Sequence, residues 1–143
     1  MCFSKISGER TWLKYYKQNN KFDFDLDFGL ISEKYYGKVL HDLIEGKSEC
    51  KAERDIWTST GNMFVEYESR GHKSGIAMTH AEHWVVSFYK ENKVCFTLTV
   101  PIEDMKKIAR KGRPSIGGDD NTSKGMLVKI KDVIDYFMDG QET

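Results

Sequence analysis

No stretch of this 143-residue chain approaches the roughly 18 consecutive apolar residues that a bilayer-spanning helix needs. A membrane span is therefore not expected. Proline is scarce, with two in the whole chain, which argues against a fibrous or disordered protein. Cysteine is scarce too. Cys2, Cys50 and Cys95 form an odd, dispersed set without a CxxC pair, so neither a disulfide framework nor a zinc site is expected. Reduced thiols in a cytoplasmic protein fit better. The opening MCFSKISGERTW has no apolar h-region, so no secretory signal is expected. No internal repeat is visible. Net charge is also missing, because 22 basic residues balance 22 acidic ones. That removes the argument for nucleic acid from a basic pI, but binding follows local charge rather than the sum. The residues present are 39% hydrophobic and 31% charged, the mixture of a single globular domain over 1–143.

The segment to Asn20 mixes aromatics and lysines without a clean period. In KFDFDLDFG, apolar residues alternate with Asp23, Asp25 and Asp27, which predicts a short strand with one wet face. A calcium loop is not expected, since the EF-hand spacing of glycine and later glutamate is absent. A helix is predicted from about Ser32, its N-cap, to Glu45. Tyr36, Val39, Leu40, Leu43 and Ile44 form its buried stripe, and Gly46 ends it. Glu33 lies on or beside that stripe, where a carboxylate is costly without a partner.

Next, KSECKAER predicts a strand with Glu49 and Lys51 on one face and Cys50 and Ala52 on the other. DIWTSTGN reads as a turn or hairpin connection. NMFVEYES is a strand with Phe64, Glu66 and Glu68 opposite Met63, Val65 and Tyr67, and RGHKSG is a loop. THAEHW reads as a short helical piece capped by Thr79. VVSFYK and KVCFTLTV are strands joined by Glu91 and Asn92, and Pro101 opens the helix IEDMKKIARKG. SIGGDDNTSKG reads as a mobile loop, MLVKI as a last short strand and KDVIDYF as a last helix. The sum is α+β, with a central, mostly antiparallel mixed sheet flanked by helices.

The chemistry-bearing residues stand in the middle of apolar patterns. Glu49 and Lys51 lie on one strand and Glu66 on the next, with a hairpin between them expected to bring the glutamates together. Glu33 can reach the same place from the preceding helix. Three carboxylates and an ammonium suit magnesium-dependent phosphodiester cleavage. Magnesium takes hard oxygen ligands and keeps several waters. Bound, it acidifies water and orients a phosphate, while a lysine can offset charge developing on phosphorus. The bland alternative is a solvated Glu/Lys pair. Glu66 weighs against it, because its neighbours Phe64, Val65 and Tyr67 belong to an apolar strand.

The order of helix with glutamate, strand, strand and α/β crossover resembles the PD-(D/E)xK nuclease superfamily. That superfamily includes restriction enzymes, archaeal Holliday-junction resolvases and some phage homing endonucleases. The stretch from Glu49 to Trp84, with ECKAERDIW, TGNMFVEYESRG, KSGI and THAEHW, resembles its small phage and environmental members. The resemblance implies a restriction-endonuclease-like core and a Mg²⁺-dependent DNA endonuclease or exonuclease, the former favoured, with Mn²⁺ as a substitute and a dimer as the favoured assembly. Glu33 would match the helix glutamate of the resolvase-like branch. Metal would be held by Glu33, Glu49, Glu66 and the Cys50 carbonyl, and Lys51 would assist the attacking water. Two registers are open. In one, Glu49-Cys50-Lys51 is the (D/E)xK tripeptide and Asp42 the upstream acid, although Asp42 falls within the predicted helix. In the other, which is preferred, Glu49 is the upstream acid and Glu66-Tyr67-Glu68 the tripeptide. Lys51 then lends its charge from the neighbouring strand, unless Glu68 takes the lysine's place.

DNA contacts are expected from Arg70, Lys73 and Ser74, which follow the second strand, with His72 beside them. They are also expected from Lys106, Lys107 and Arg110, in a run from Met105 to Arg113 with five bases and no acid. Such cations would bind phosphates without reading sequence. His72, His80 and His83 do not form a zinc set, because a third ligand is not evident. Trp57 is expected in the core rather than stacked on a base. The rival reading is a non-catalytic nucleic-acid- or protein-binding module on the same scaffold, favoured by the missing upstream aspartate. Nothing in the sequence decides between DNA and RNA.

Overall fold

In the computed structural model, which describes residues 21–140, the alternating KFDFDLDFG segment is helical rather than extended. It opens helix α1, Lys21–Ile44. Helix formation is costly to nucleate and cheap to extend, so a segment continuous with a good helical stretch joins it despite its period-two pattern. Ser32 is consequently in mid-helix and caps nothing. Gly46 ends the helix as expected, with φ at +69°, and the Glu45 amide donates to the His41 carbonyl at 2.9 Å. The reading of the first 20 residues lies outside the described part. The described residues divide into two units, one up to Glu45 and a second from Gly46 onward.

The second unit holds strand β1 (Ser48–Arg54), a short helix α2 (Trp57–Thr60), strands β2 (Asn62–Ser69), β3 (His72–Lys73), β4 (His83–Lys90) and β5 (Lys93–Pro101), helix α3 (Ile102–Arg110), strands β6 (Arg113–Gly117) and β7 (Ser123–Lys129), and helix α4 (Ile130–Met138). The class is α+β, as expected. The sheet is not single, however. A mixed sheet runs β1-β4-β5 and an antiparallel one β3-β2-β7-β6. β1 and β2 therefore do not form a hairpin. β1 pairs in parallel with β4, and the link to β2 is a helical turn closed by Gly61, in the left-handed region at φ +68°.

Three other loop readings change. RGHKSG contains a tight hairpin. Arg70 and Gly71 both have positive φ, the backbone of a type I′ turn, which matches strand twist. Glu68 and Ser69 then face Lys73 and His72 across it. THAEHW has no helix: Thr79 Oγ1 accepts from the Ala81 amide at 3.1 Å, a local turn that competes with helix, and His83 begins β4. The glycine-rich SIGGDDNTSKG is ordered as the end of β6 and the start of β7, with Asp120 and Asn121 at positive φ in the bend. Asp and Asn tolerate that region because their short side chains can bond locally. Glu91 and Asn92 do form the β4–β5 turn, again with positive φ at both, and Pro101 does precede a helix.

The core lies between the sheets and helices α3 and α4. Trp84, Val86 and Phe88 of β4 meet Met63 and Val65 of β2 and Met105 of α3 there. Trp57 belongs to this core rather than to a ligand surface. Its indole donates to the Tyr89 carbonyl at 2.8 Å, and its ring meets Phe88 and Phe96 edge-on. No helix among the described residues is long and apolar enough to cross a membrane.

Candidate functional site

The pleat of β1 puts Glu49, Lys51 and Glu53 on one half-buried face and leaves Cys50, Ala52 and Arg54 exposed. Parallel register sets Glu49 beside Trp84, Lys51 beside Val86 and Glu53 beside Phe88. The charged row thus continues the core face of β4 at the edge of the sheet. Lys51 Nζ is 2.8 Å from Glu49 Oε1 and 5.7 Å from the centre of the Trp84 ring. An ammonium over an indole is attracted by the negative ring face, which helps hold it in the row.

Glu66 comes from β2. It shares a face with Phe64 and lies opposite Gly125 of β7, just before a bulge in the ladder between Glu66 and Glu68. Ser74 Oγ donates to Glu66 Oε1 at 2.7 Å. The Ser74 and Ser123 hydroxyls hold the Glu66 carboxyl below the usual glutamate range, and the Lys51 charge adds to this against partial burial. Hydrogen bonds and a nearby cation both favour the ionised form. Lys51 thus links the two strands' acids, in contact with Glu49 and within electrostatic reach of Glu66.

Two glycines make room for this arrangement. A Cβ on Gly75, which has φ +49°, would stand 2.3 Å from the Glu66 carbonyl oxygen. A Cβ on Gly125 would stand 2.5 Å from the Phe64 ring. The turn that carries Ser74 can therefore press against β2 only because residue 75 lacks a side chain.

Glu53 is used differently. Its Oε1 accepts from the Phe64 amide at 2.6 Å, so a side chain bridges the two sheets where no strand pairing does. Burial pushes its carboxyl above the usual range, partly offset by that hydrogen bond.

The remaining expected site residues are dispersed. Glu33 stands exposed on α1, in the other unit. Among the described residues, neither Glu49 nor Glu66 belongs to a group of three or more acidic, histidine or cysteine ligand atoms within 4.8 Å of one another. Asp42 is on α1, where Lys38 Nζ lies 3.0 Å from it and lowers its pKa by hydrogen bonding. Glu68 pairs with Lys124 at 2.8 Å. Cys50 has an exposed side chain on the face away from Glu49 and Lys51. Of the expected DNA contacts, Ser74 is engaged with Glu66, while Arg70 and Lys73 are exposed at the β2–β3 hairpin. His80 is exposed and His83 buried on β4, so they do not share a helix turn. Sequence reasoning missed Glu53 and Ser123. Glu53 was signalled by the period of two that links Glu49 to Lys51. Ser123 was hidden in a stretch taken for a loop.

An open cleft of about 530 Å³ is lined by Tyr67, Ile76 and Ala77 on one side and by Lys106, Ala109 and Arg110 of α3 on the other. No family model, curated protein sequence or solved structure matches the chain.

Proposed function

We propose that this protein is a Mg²⁺-dependent DNA nuclease that hydrolyses phosphodiester bonds with Glu49, Lys51 and Glu66. The observation that carries this reading is Lys51, which pairs with Glu49 at 2.8 Å while its charge also acts on Glu66. One carboxylate is thus in contact with the ammonium and a second lies within its electrostatic reach. The donor set fits magnesium, which takes hard oxygens and is usually held by one or two carboxylates plus waters and substrate phosphates. Glu49 and Glu66 would hold it, with Mn²⁺ as a substitute, and Glu33 and the Cys50 carbonyl are not needed. When bound, the metal supplies Lewis acidity toward the phosphate and its attacking water.

The chain's own residues do the rest. Ser74 and Ser123 keep Glu66 ionised and oriented. Lys51 would present its ammonium to the charge that develops on the phosphoryl oxygens. Trp84 beneath it limits water access. Removing an electrostatic group of this kind costs about 10²–10³ in rate.

The test is cleavage of supercoiled plasmid and branched DNA with and without Mg²⁺. Wild-type protein is expected to cleave only with metal, and Glu49→Gln, Lys51→Met and Glu66→Gln each to lose about a hundredfold or more. Metal-independent cleavage, or three variants as active as wild type, would sink the reading. A second reading, a non-catalytic binding module, is favoured by one observation: β1 and β2 sit in different sheets, without the hairpin that the resemblance implies. DNA binding without any metal-dependent cleavage by wild type would select it.

A further inference from the structure

The basic run of α3 is not one surface. Lys106 and Arg110 are four apart and share a helix face, and both line the open cleft. Lys107 and Lys111 occupy another face, and Lys111 borders a separate hollow with Asp132, Asp135 and Asp139 of α4. One basic row thus runs beside acids of the chain's last helix, and the other lines the cleft. Among the described residues Lys106 pairs only with Glu103, at 3.0 Å on the solvent side where Glu103 is 76% exposed. Among the described residues no ion pair engages Arg110.

The cleft is apolar between these cations and Tyr67. Its volume of about 530 Å³ falls in the range of small-molecule sites, roughly 300–1,000 Å³. Its lining adjoins the proposed reaction site along the chain, with Met126, paired to Val65, on the face of the sheet opposite Glu66. Tyr67 follows Glu66 directly, and Ile76 and Ala77 belong to the same turn as Ser74, the hydroxyl bonded to Glu66.

We propose that this cleft receives one nucleotide of a single DNA strand, its base against Tyr67 and the apolar lining and its phosphate between Lys106 and Arg110. The strand then runs past the Ser74 turn to the Glu66 side of β2. This rests on the reading of Glu66 as part of a phosphodiesterase site. An aromatic ring with flanking cations is the common platform for single-stranded nucleic acid, because every base has a π-face and every nucleotide a phosphate. An acidic peptide would use the cations and leave the apolar lining and the ring without a partner of matching shape. A rigid duplex keeps its bases stacked and out of reach of a cleft of this depth.

The test is fluorescence anisotropy of a fluorescein-labelled oligothymidylate of about ten residues, in EDTA so that binding is read without cleavage. Wild type is expected to bind the single strand more tightly than a duplex of equal length. Lys106→Gln/Arg110→Gln should weaken binding about tenfold or more and flatten its salt dependence. Tyr67→Ala should weaken it about fivefold to a hundredfold, and Tyr67→Phe should restore most of that loss. Lys90→Gln/Lys93→Gln, which removes equal charge elsewhere, should leave affinity within about twofold, and circular dichroism checks the fold of each variant. The proposal is overturned if the cleft variants bind like wild type, if duplex binds as well as single strand, or if poly-glutamate competes as well as unlabelled oligothymidylate. Tight, cleft-dependent binding by a protein that never cleaves would overturn the nuclease reading alone. Cleavage that survives with cleft-independent binding would overturn the cleft alone.

Discussion

β1 and β4 lie side by side in one sheet, in register, and use the same face in opposite ways. β4 presents Trp84, Val86 and Phe88, all core residues with Trp84 only 1% exposed. β1 presents Glu49, Lys51 and Glu53 to the same side. The difference follows from position. A central strand has neighbours on both edges and loses water from its face. An edge strand keeps one open flank, so long charged side chains can lie along apolar surface and still reach solvent or a partner. A row of charges on a core face is tolerated only where each member has a use. Glu49 and Lys51 hold one another, and Glu53 ties down the Phe64 amide. These contacts make the row part of the packing rather than a defect in it.

The contrast can be broken by exchanging roles. Trp84→Ala should cost about 3–5 kcal/mol in urea unfolding, because it opens a large cavity in a close-packed interior. A loss under about 1 kcal/mol would mean that β4 does not anchor the core. Glu53→Ala comes next, at about 1–3 kcal/mol, since it leaves a partly buried amide without an acceptor. Glu53→Gln keeps an acceptor and sharpens the point through pH. The folded-state carboxyl is raised by burial, so the folded protein binds that proton more tightly than the unfolded chain. Wild-type stability therefore falls as pH rises from the unfolded pKa through the folded one. The stability of Glu53→Gln relative to wild type should increase over that same window, and thermal melts from pH 4 upward would show it. A pH-independent difference would remove Glu53 from the bridging role. The smallest effect is expected for Glu49→Gln/Lys51→Met, within about 1 kcal/mol, because a partly exposed pair contributes little to folding. A much larger loss would make the pair structural and weaken its assignment to chemistry.

Much of the framework was legible in sequence, for identifiable reasons. β2, β4 and β5 show alternation bounded by turn residues, and the α3 boundary is written in Pro101. The same-face placement of Glu49 and Lys51 follows from the pleat alone. The misses share a cause, which is that local pattern does not report partners. The period-two run of α1 is helical because its continuation is. β1 and β2 look like a hairpin until β4 and β7 compete for them. The β6–β7 hairpin is rich in glycine, which resembles a loop, although Gly125 is there to accommodate Phe64. The site was half visible: its charged residues could be named, whereas the link through Lys51, the hydroxyls on Glu66 and the bridge from Glu53 depend on tertiary placement.

The charged row has one further effect, on the company the protein keeps. β1 is an edge strand, and an unguarded edge is a template on which a foreign strand can extend a sheet. Any strand joining β1 would have to set its own side chains beside Glu49, Lys51 and Glu53 on the inner face, exchanging paired charges for strained or desolvated ones. The residues proposed to work on a phosphodiester bond thereby also guard that edge against aggregation.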